Sequence, residues 1–222
     1  MMADLGGKPV IVRTYEATLA TGLFEVVYVV TDSTIIKEAV RKAGGNVMMS
    51  KKQHQCGSDR IAEASKEVSA DIIVNVQGDE PFVKKEPLEK LLNCFKGEDA
   101  AQIDLASLMQ KMEDPLQIKD ENFVKVLVDK NNFALYFSRA AVPFPRNTTH
   151  PIKYYEHIGV YAFRKQALMD FTNLPMGDLE RAEAIEAIRF LEYGKKIKMV
   201  ATNYMGIEID TPEDLAKAQK YL

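Results

Sequence analysis

Tryptophan is absent from the 222 residues, and cysteine occurs only at Cys56 and Cys94. That pair fits no zinc-ligand spacing, and a chain of this length buries a core without disulfides. No apolar run approaches the roughly 18 residues of a membrane span. Met1 to Pro9 hold no apolar segment flanked by basic residues, so no secretory signal is expected. The chain therefore reads as a reduced, cytoplasmic protein. An excess of one charge is missing too. Lys plus Arg number 29 against 32 Asp plus Glu, a net charge of -3, which speaks against a bulk-charge grip on nucleic acid while leaving room for a local basic pocket. Neither G-x-x-x-x-G-K-[ST] nor G-x-G-x-x-G occurs, so Walker-type and ordinary dinucleotide folds lose support. No repeat, linker or low-complexity stretch breaks the chain.

What is present is an alternation of short β-branched runs and amphipathic segments. Residues 9–20 predict a helix opened by Pro9. Glu25 to Val30 and Asp71 to Val76 resemble buried parallel strands. Helices are expected over 33–43, 60–68 and 84–95, with a short strand at 47–49. This rhythm predicts an α/β fold with parallel strands and right-handed crossovers. Beyond residue 101 strands dominate, at 103–108, 124–128, 134–138, 156–163 and 197–201. Three prolines mark 139–155 as an irregular excursion. Helices are expected at 165–173, 179–193 and, capped by Thr211, 212–221.

Four features could carry chemistry. Gln77-Gly78-Asp79-Glu80-Pro81 follows a buried strand, where ligands of open α/β sheets bind. Asp79 could hold Mg²⁺ against phosphate oxygens, or Gly78 and Asp79 could simply make a turn. Asp210, before Thr211-Pro212-Glu213-Asp214, is either a second metal carboxylate or part of a helix start. His54 to Arg60 offers a glycine, a hydroxyl and a guanidinium ahead of a helix. That is either an anion or nucleobase dock or a polar loop capped by Ser58. Cys56 has no neighbouring base to make it a nucleophile. Glu180, Glu183 and Glu186, with Arg189 next in the series, read as a solvated helix edge. Ile185, Ile188 and Leu191 supply its core stripe. Asn147-Thr148-Thr149 spells a glycosylation sequon that nothing directs to the secretory path.

Taken in order, His54-Gln-Cys-Gly-Ser-Asp-Arg60, Val74-Asn-Val-Gln-Gly-Asp-Glu-Pro81, Ala134-Leu-Tyr-Phe-Ser-Arg139, His157-Ile-Gly-Val-Tyr161 and Ile209-Asp-Thr-Pro-Glu-Asp-Leu215 resemble one family. It is that of 3-deoxy-manno-octulosonate (Kdo) cytidylyltransferase, the CMP-Kdo synthetase of lipopolysaccharide synthesis. The likeness runs from about residue 6 to the C-terminus. It implies a nucleotidyltransferase-like fold in a single domain over 1–222, a mostly parallel sheet flanked by helices. A dimerising, sugar-side excursion near 130–165 and a homodimer are implied with it. The implied reaction is CTP plus Kdo giving CMP-Kdo and pyrophosphate. Asp79 and Asp210 match the family's Mg²⁺ ligands. Gly57, Ser58, Arg60 and Gln77 match its cytidine and ribose contacts, and Arg139, His157 and Glu186 its sugar side. The family opens with a strand and an Arg/Lys loop that grips the triphosphate, and this chain starts just after them. The expected consequence is a gap in the sheet and fewer phosphate-binding cations. Ala187 stands where the family pairs a Gln with the sugar-side Glu, and Cys56 and Ser58 replace its usual Ser and Thr. Two alternatives follow: a cytidylyltransferase for another acidic keto-sugar, such as an amino-substituted Kdo, and a non-catalytic nucleotide-binding homologue.

Overall fold

The structure is a computed structural model. It describes all residues except Gln53, Gln55, Cys56, Thr148, His150, Pro151, Tyr204 and Met205. The chain opens with a small hairpin, β1 (Asp4–Leu5) and β2 (Lys8–Pro9), then α1 (Val10–Ala20), β3 (Tyr28–Thr31), α2 (Thr34–Lys42), β4 (Asn46–Met49) and α3 (Gly57–Ser65). Next come β5 (Ile72–Asn75), α4 (Lys85–Cys94), β6 (Leu105–Met112), α5 (Pro115–Lys119), β7 (Lys125–Val128) and β8 (Ala134–Ser138). The chain closes with β9 (Tyr154–Arg164), α6 (Lys165–Phe171), α7 (Asp178–Glu183), α8 (Ala187–Glu192), β10 (Ile197–Thr202) and α9 (Pro212–Ala218). No helix of the described residues is long and apolar enough to cross a membrane.

Two compact units result. The first comprises Met1–Ser69, Asn75–Glu89 and Met205–Leu222. Its helix α1 is rich in Val and Thr, poor helix formers in isolation, so burial must hold it. Ile11, Val12 and Tyr15 pack with Val29 and Val40 in one cluster. Val10 joins Leu5 and Ala218 in another, flanked by Phe82, Ile207, Ile209 and Leu215. Each fully buried side chain of this size contributes about 1.5–3 kcal/mol. β3 and β4 pair in parallel. β3 alternates exposed and buried residues, and Val26 and Tyr28 are exposed. The expected buried strand at 25–30 is therefore shorter and half-buried. The helix expected at 60–68 starts earlier, and Ser58 lies buried inside it rather than capping it.

The second unit comprises Ala70–Val74 and Lys90–Tyr204. Its sheet runs β10-β6-β9-β7-β8, and β5 also pairs with β9. β10 lies parallel to β6, whereas β9 runs antiparallel to β6 and β7, and β7 to β8. The α/β class holds, with a sheet of mixed direction. A bulge between Ser107 and Leu108 breaks the β6–β9 register. Ser107 Oγ lies 3.0 Å from the carbonyls of both Ile158 and Val160 there, which covers main-chain acceptors that the bulge takes out of the ladder.

Gln110 pairs with Glu156, Glu156 with Lys125, and Lys125 with Ser138. Directly paired residues share a sheet face, so a polar row crosses four strands. Lys125 is fully buried, its ammonium donating to the carbonyls of Asp120 and Phe123. Burial raises Glu156 to about 7 despite the pull of Lys125. His157, on the opposite face, is lowered to about 4 by burial.

These two groups tilt stability in opposite directions. The folded state keeps a proton on Glu156 that the unfolded chain releases near its ordinary value of 4.5, so stability falls as pH rises from about 4.5 to 7. His157 resists protonation when folded, so stability falls as pH drops from about 6.5 to 4. Denaturant titrations at pH 5 and pH 8 should show Glu156→Gln losing about 2 kcal/mol less than the unsubstituted protein, allowing for remaining solvent contact. Equal losses would show that Glu156 is not held in a desolvating environment.

Candidate functional site

In the first unit the segment after β5 and the segment before α9 are drawn together. Ile209 N donates to Asp79 O at 3.0 Å. Thr14 Oγ1, on α1, lies 2.7 Å from Gly78 O and holds the same turn from behind. A Cβ at Gly78 would come within 2.8 Å of Met1 and 2.9 Å of Ile11, and one at Gly206 within 2.9 Å of Phe82 Cβ. At Gly206 the missing Cβ lets the main chain lie close to Phe82, whereas at Gly78 it makes room for the side-chain ends of Met1 and Ile11. Between Gly206 and Asp210 apolar and acidic residues alternate: Ile207 and Ile209 face the core cluster while Glu208 and Asp210 are exposed.

Ligand oxygens of Asp79, Glu208 and Asp210 all lie within 4.8 Å of one another. Asp79 Oδ1 is enclosed and has no hydrogen-bond partner among the described residues. Burial, with the Asp210 charge adding to it, holds the Asp79 carboxyl above its usual range. Asp210 is not needed as a helix cap. Thr211 Oγ1 accepts from Asp214 N, and Asp214 Oδ2 accepts from Thr211 N, a closed capping box. An unsatisfied carboxylate oxygen amid three acids is a donor set for a hard divalent cation such as Mg²⁺. Asp79 and Asp210, the two acids expected as metal ligands, are thus brought together, and Glu208 joins them as a third carboxylate that the apolar–acidic alternation of 206–210 could have signalled.

The nucleotide-side candidates also fall in the first unit. Gly57 begins α3 and Gln77 Nε2 lies 3.8 Å from where a Cβ of Gly57 would stand. Arg60 pairs with Asp32, just beyond β3, at 3.2 Å. Cys56 lies outside the described residues. The residue that organises the described part of this loop is Glu63. Its carboxylate accepts from Ser50 Oγ at 2.9 Å and Lys51 N at 3.2 Å, and meets His54 Nε2 at 2.6 Å. The His54 bond, then those of Ser50 and Lys51, lower its pKa against the effect of burial. Nothing in the sequence pattern separates Glu63 from an ordinary helix-surface acid.

Arg139, His157 and Glu186 belong to the second unit. Arg139 Nε donates to Glu183 O at 2.7 Å and Nη1 to Glu121 O at 2.9 Å. Its side chain is thus fixed by carbonyls, which orient a guanidinium without neutralising it. The His157 ring sits between Phe137 at 4.8 Å and Tyr161 at 5.4 Å. Its Nε2 is 3.1 Å from Ser107 Oγ. The Ser107 hydroxyl proton is taken by a main-chain carbonyl, so Nε2 carries the hydrogen of a neutral imidazole. His157 N also donates to Val124 O.

Glu186 lies between α7 and α8, which corrects the expected single helix over 179–193. Ala184 adopts φ 52° and ends α7 in the left-handed region. The acids consequently do not form one edge. Glu180 is buried and bonds Arg189 through two contacts of 2.6 Å. The Arg189 guanidinium also lies 4.3 Å over the Phe171 ring. The solvated-edge reading fails because the helix turns inward and buries its first acid against a cation. Ala187 is buried beside Ile188.

Residues 1–197 match the model of the cytidylyltransferase family. A relative from Christiangramia forsetii, named 3-deoxy-manno-octulosonate cytidylyltransferase, is 58% identical over 222 residues, all of this chain and 90% of the relative. One from Shewanella pealeana, named 8-amino-3,8-dideoxy-manno-octulosonate cytidylyltransferase, is 42% identical over 96% of this chain and 88% of its own. The solved structure of a CMP:2-keto-3-deoxy-manno-octonic acid synthetase complexed with CTP matches 99% of this chain and 90% of its own. Its TM-score is 0.93 and its identity 34%. The chain belongs to the cytidylyltransferase family.

Proposed function

We propose that the protein transfers CMP from CTP to Kdo, releasing pyrophosphate, in the cytoplasmic part of lipopolysaccharide synthesis. The observation that carries this reading is the 58% identity, over the whole chain, to the relative of that name. In the reaction the anomeric hydroxyl oxygen of the sugar bonds to the α-phosphorus, its proton is lost, and the bond to pyrophosphate breaks. No covalent enzyme intermediate is needed, so the protein's part is positioning and charge stabilisation.

Asp79 and Asp210 would hold Mg²⁺, with Glu208 as a neighbouring oxygen donor. When bound, the ion offsets phosphate charge and favours ionisation of the attacking hydroxyl. Gly57, Ser58, Arg60 and Gln77 take the cytidine and ribose, and Asp32 and Glu63 brace that surface. Arg139 receives the sugar carboxylate, because its hydrogen bonds to carbonyls leave the positive charge available. His157, kept neutral, orients the sugar as a hydrogen-bonding group rather than as a charge. Glu186 accepts from a sugar hydroxyl. The exposed Leu135 and Phe144 support homodimer contact through the 130–165 region.

A second reading has two observations behind it. Ala187 offers no hydrogen bond where the family's pattern has Gln, and a relative named for an amino-substituted sugar matches nearly the full chain. A pyrophosphate-release assay with CTP and Mg²⁺ separates the two. Turnover with Kdo is expected; turnover only with the 8-amino sugar would replace Kdo as the substrate. Asp79→Asn and Asp210→Asn should each lower kcat by about 10²–10³-fold or more, with unchanged circular dichroism. Near-normal turnover in either would remove that residue from the metal site. Phe144→Asp should shift the protein towards monomer in sedimentation; an unchanged dimer would take Phe144 out of the interface.

A further inference from the structure

We infer that Glu183 is the positioning residue that sets Arg139 for the acidic sugar, an inference resting on the reading of Arg139 as the sugar-carboxylate ligand. Because Ala184 leaves the helix in the left-handed region, the Glu183 carbonyl has no donor one turn ahead and is one of the orphans of a helix end. Arg139 Nε fills it at 2.7 Å. An unbroken helix over 179–193 would have used that carbonyl internally.

The carboxylate of the same residue reaches the other end of Arg139. Glu183 Oε2 accepts from Arg139 N at 2.8 Å, and Oε1 accepts from Ser138 Oγ at 2.7 Å. Tyr136 OH stands farther off, at 3.5 Å from Oε1. One residue therefore fixes both the main chain and the guanidinium of Arg139. The carboxylate is occupied by a main-chain N–H and a hydroxyl instead of forming an ion pair with the guanidinium. Arg139 Nη2 makes no hydrogen bond among the described residues. The arrangement orients a cation while keeping it open to an anionic ligand.

The test is steady-state kinetics with Kdo and CTP varied separately, on Arg139→Ala, Glu183→Ala, Glu183→Gln and the Arg139→Ala/Glu183→Ala pair. Glu183→Ala should raise the KM for the sugar about 10–100-fold and leave that for CTP within about twofold. Glu183→Gln keeps the size and one acceptor oxygen, so a smaller rise in the same parameter is expected. It carries the test should the alanine variant not fold. The double variant should be no worse than Arg139→Ala alone, since the two act as one unit. Multiplying losses, equal shifts in both KM values, or an unchanged sugar KM in Glu183→Gln beside a raised one in Arg139→Ala would overturn the positioning role. An unchanged sugar KM in Arg139→Ala would instead overturn the assignment of Arg139 itself, and the inference with it.

Discussion

Three acids held within 4.8 Å of one another repel, and the fold must supply what keeps them there. The bond from Ile209 N to Asp79 O does so, because it joins segments that lie far apart in the sequence. Around it, Ile207 and Ile209 turn into the core and leave Glu208 and Asp210 outside. The close approach at Gly206 lets its main chain lie against Phe82. The Thr211–Asp214 capping box satisfies the start of α9 without drawing on Asp210. The cost appears on Asp79, whose carboxyl is driven upward by burial and by its neighbour. A divalent cation would relieve that cost, which supports the proposed metal site.

Elsewhere buried charge is handled by pairing. Glu180 and Arg189 meet through two short contacts, with Phe171 beneath the guanidinium. Such pairs add little net stability, yet removing one partner costs several kcal/mol because the other is stranded. Lys125 is treated differently, its ammonium resting on carbonyls while Glu156 beside it stays partly protonated near neutrality. Arg139 follows the same principle in a more open place. Carbonyl partners fix a cation's direction and leave its charge for something else.

Much of this was legible in the sequence for physical reasons. Pro9 before Val10 marks a helix start, Thr211-Pro212-Glu213-Asp214 spells a cap, and β-branched runs ending in polar residues give strands. Asp79 stood out because it follows the end of a strand, and Asp210 because it stands just before a helix start. Glu63 did not, because a lone Glu carries no local signal of what it accepts, and Glu183 stood out only as one acid of a helical series. The division of α7 from α8 was hidden for a related reason. A left-handed turn usually announces itself with Gly or Asn, and here Ala184 takes it under tertiary packing. Once that turn is missed, Glu180 to Arg189 looks like a wet edge when it is a buried ion pair and an arginine clamp.

Asp79 and Asp210 are proposed to bind a divalent cation together. Titration of the full chain with Mn²⁺ in the presence of CTP, followed by electron paramagnetic resonance, tests it without any turnover. Saturable protein-dependent binding is expected, weakening at least about tenfold in both Asp79→Asn and Asp210→Asn, each lost carboxylate removing a charged ligand. Binding of equal strength in the unsubstituted protein and either variant would contradict it.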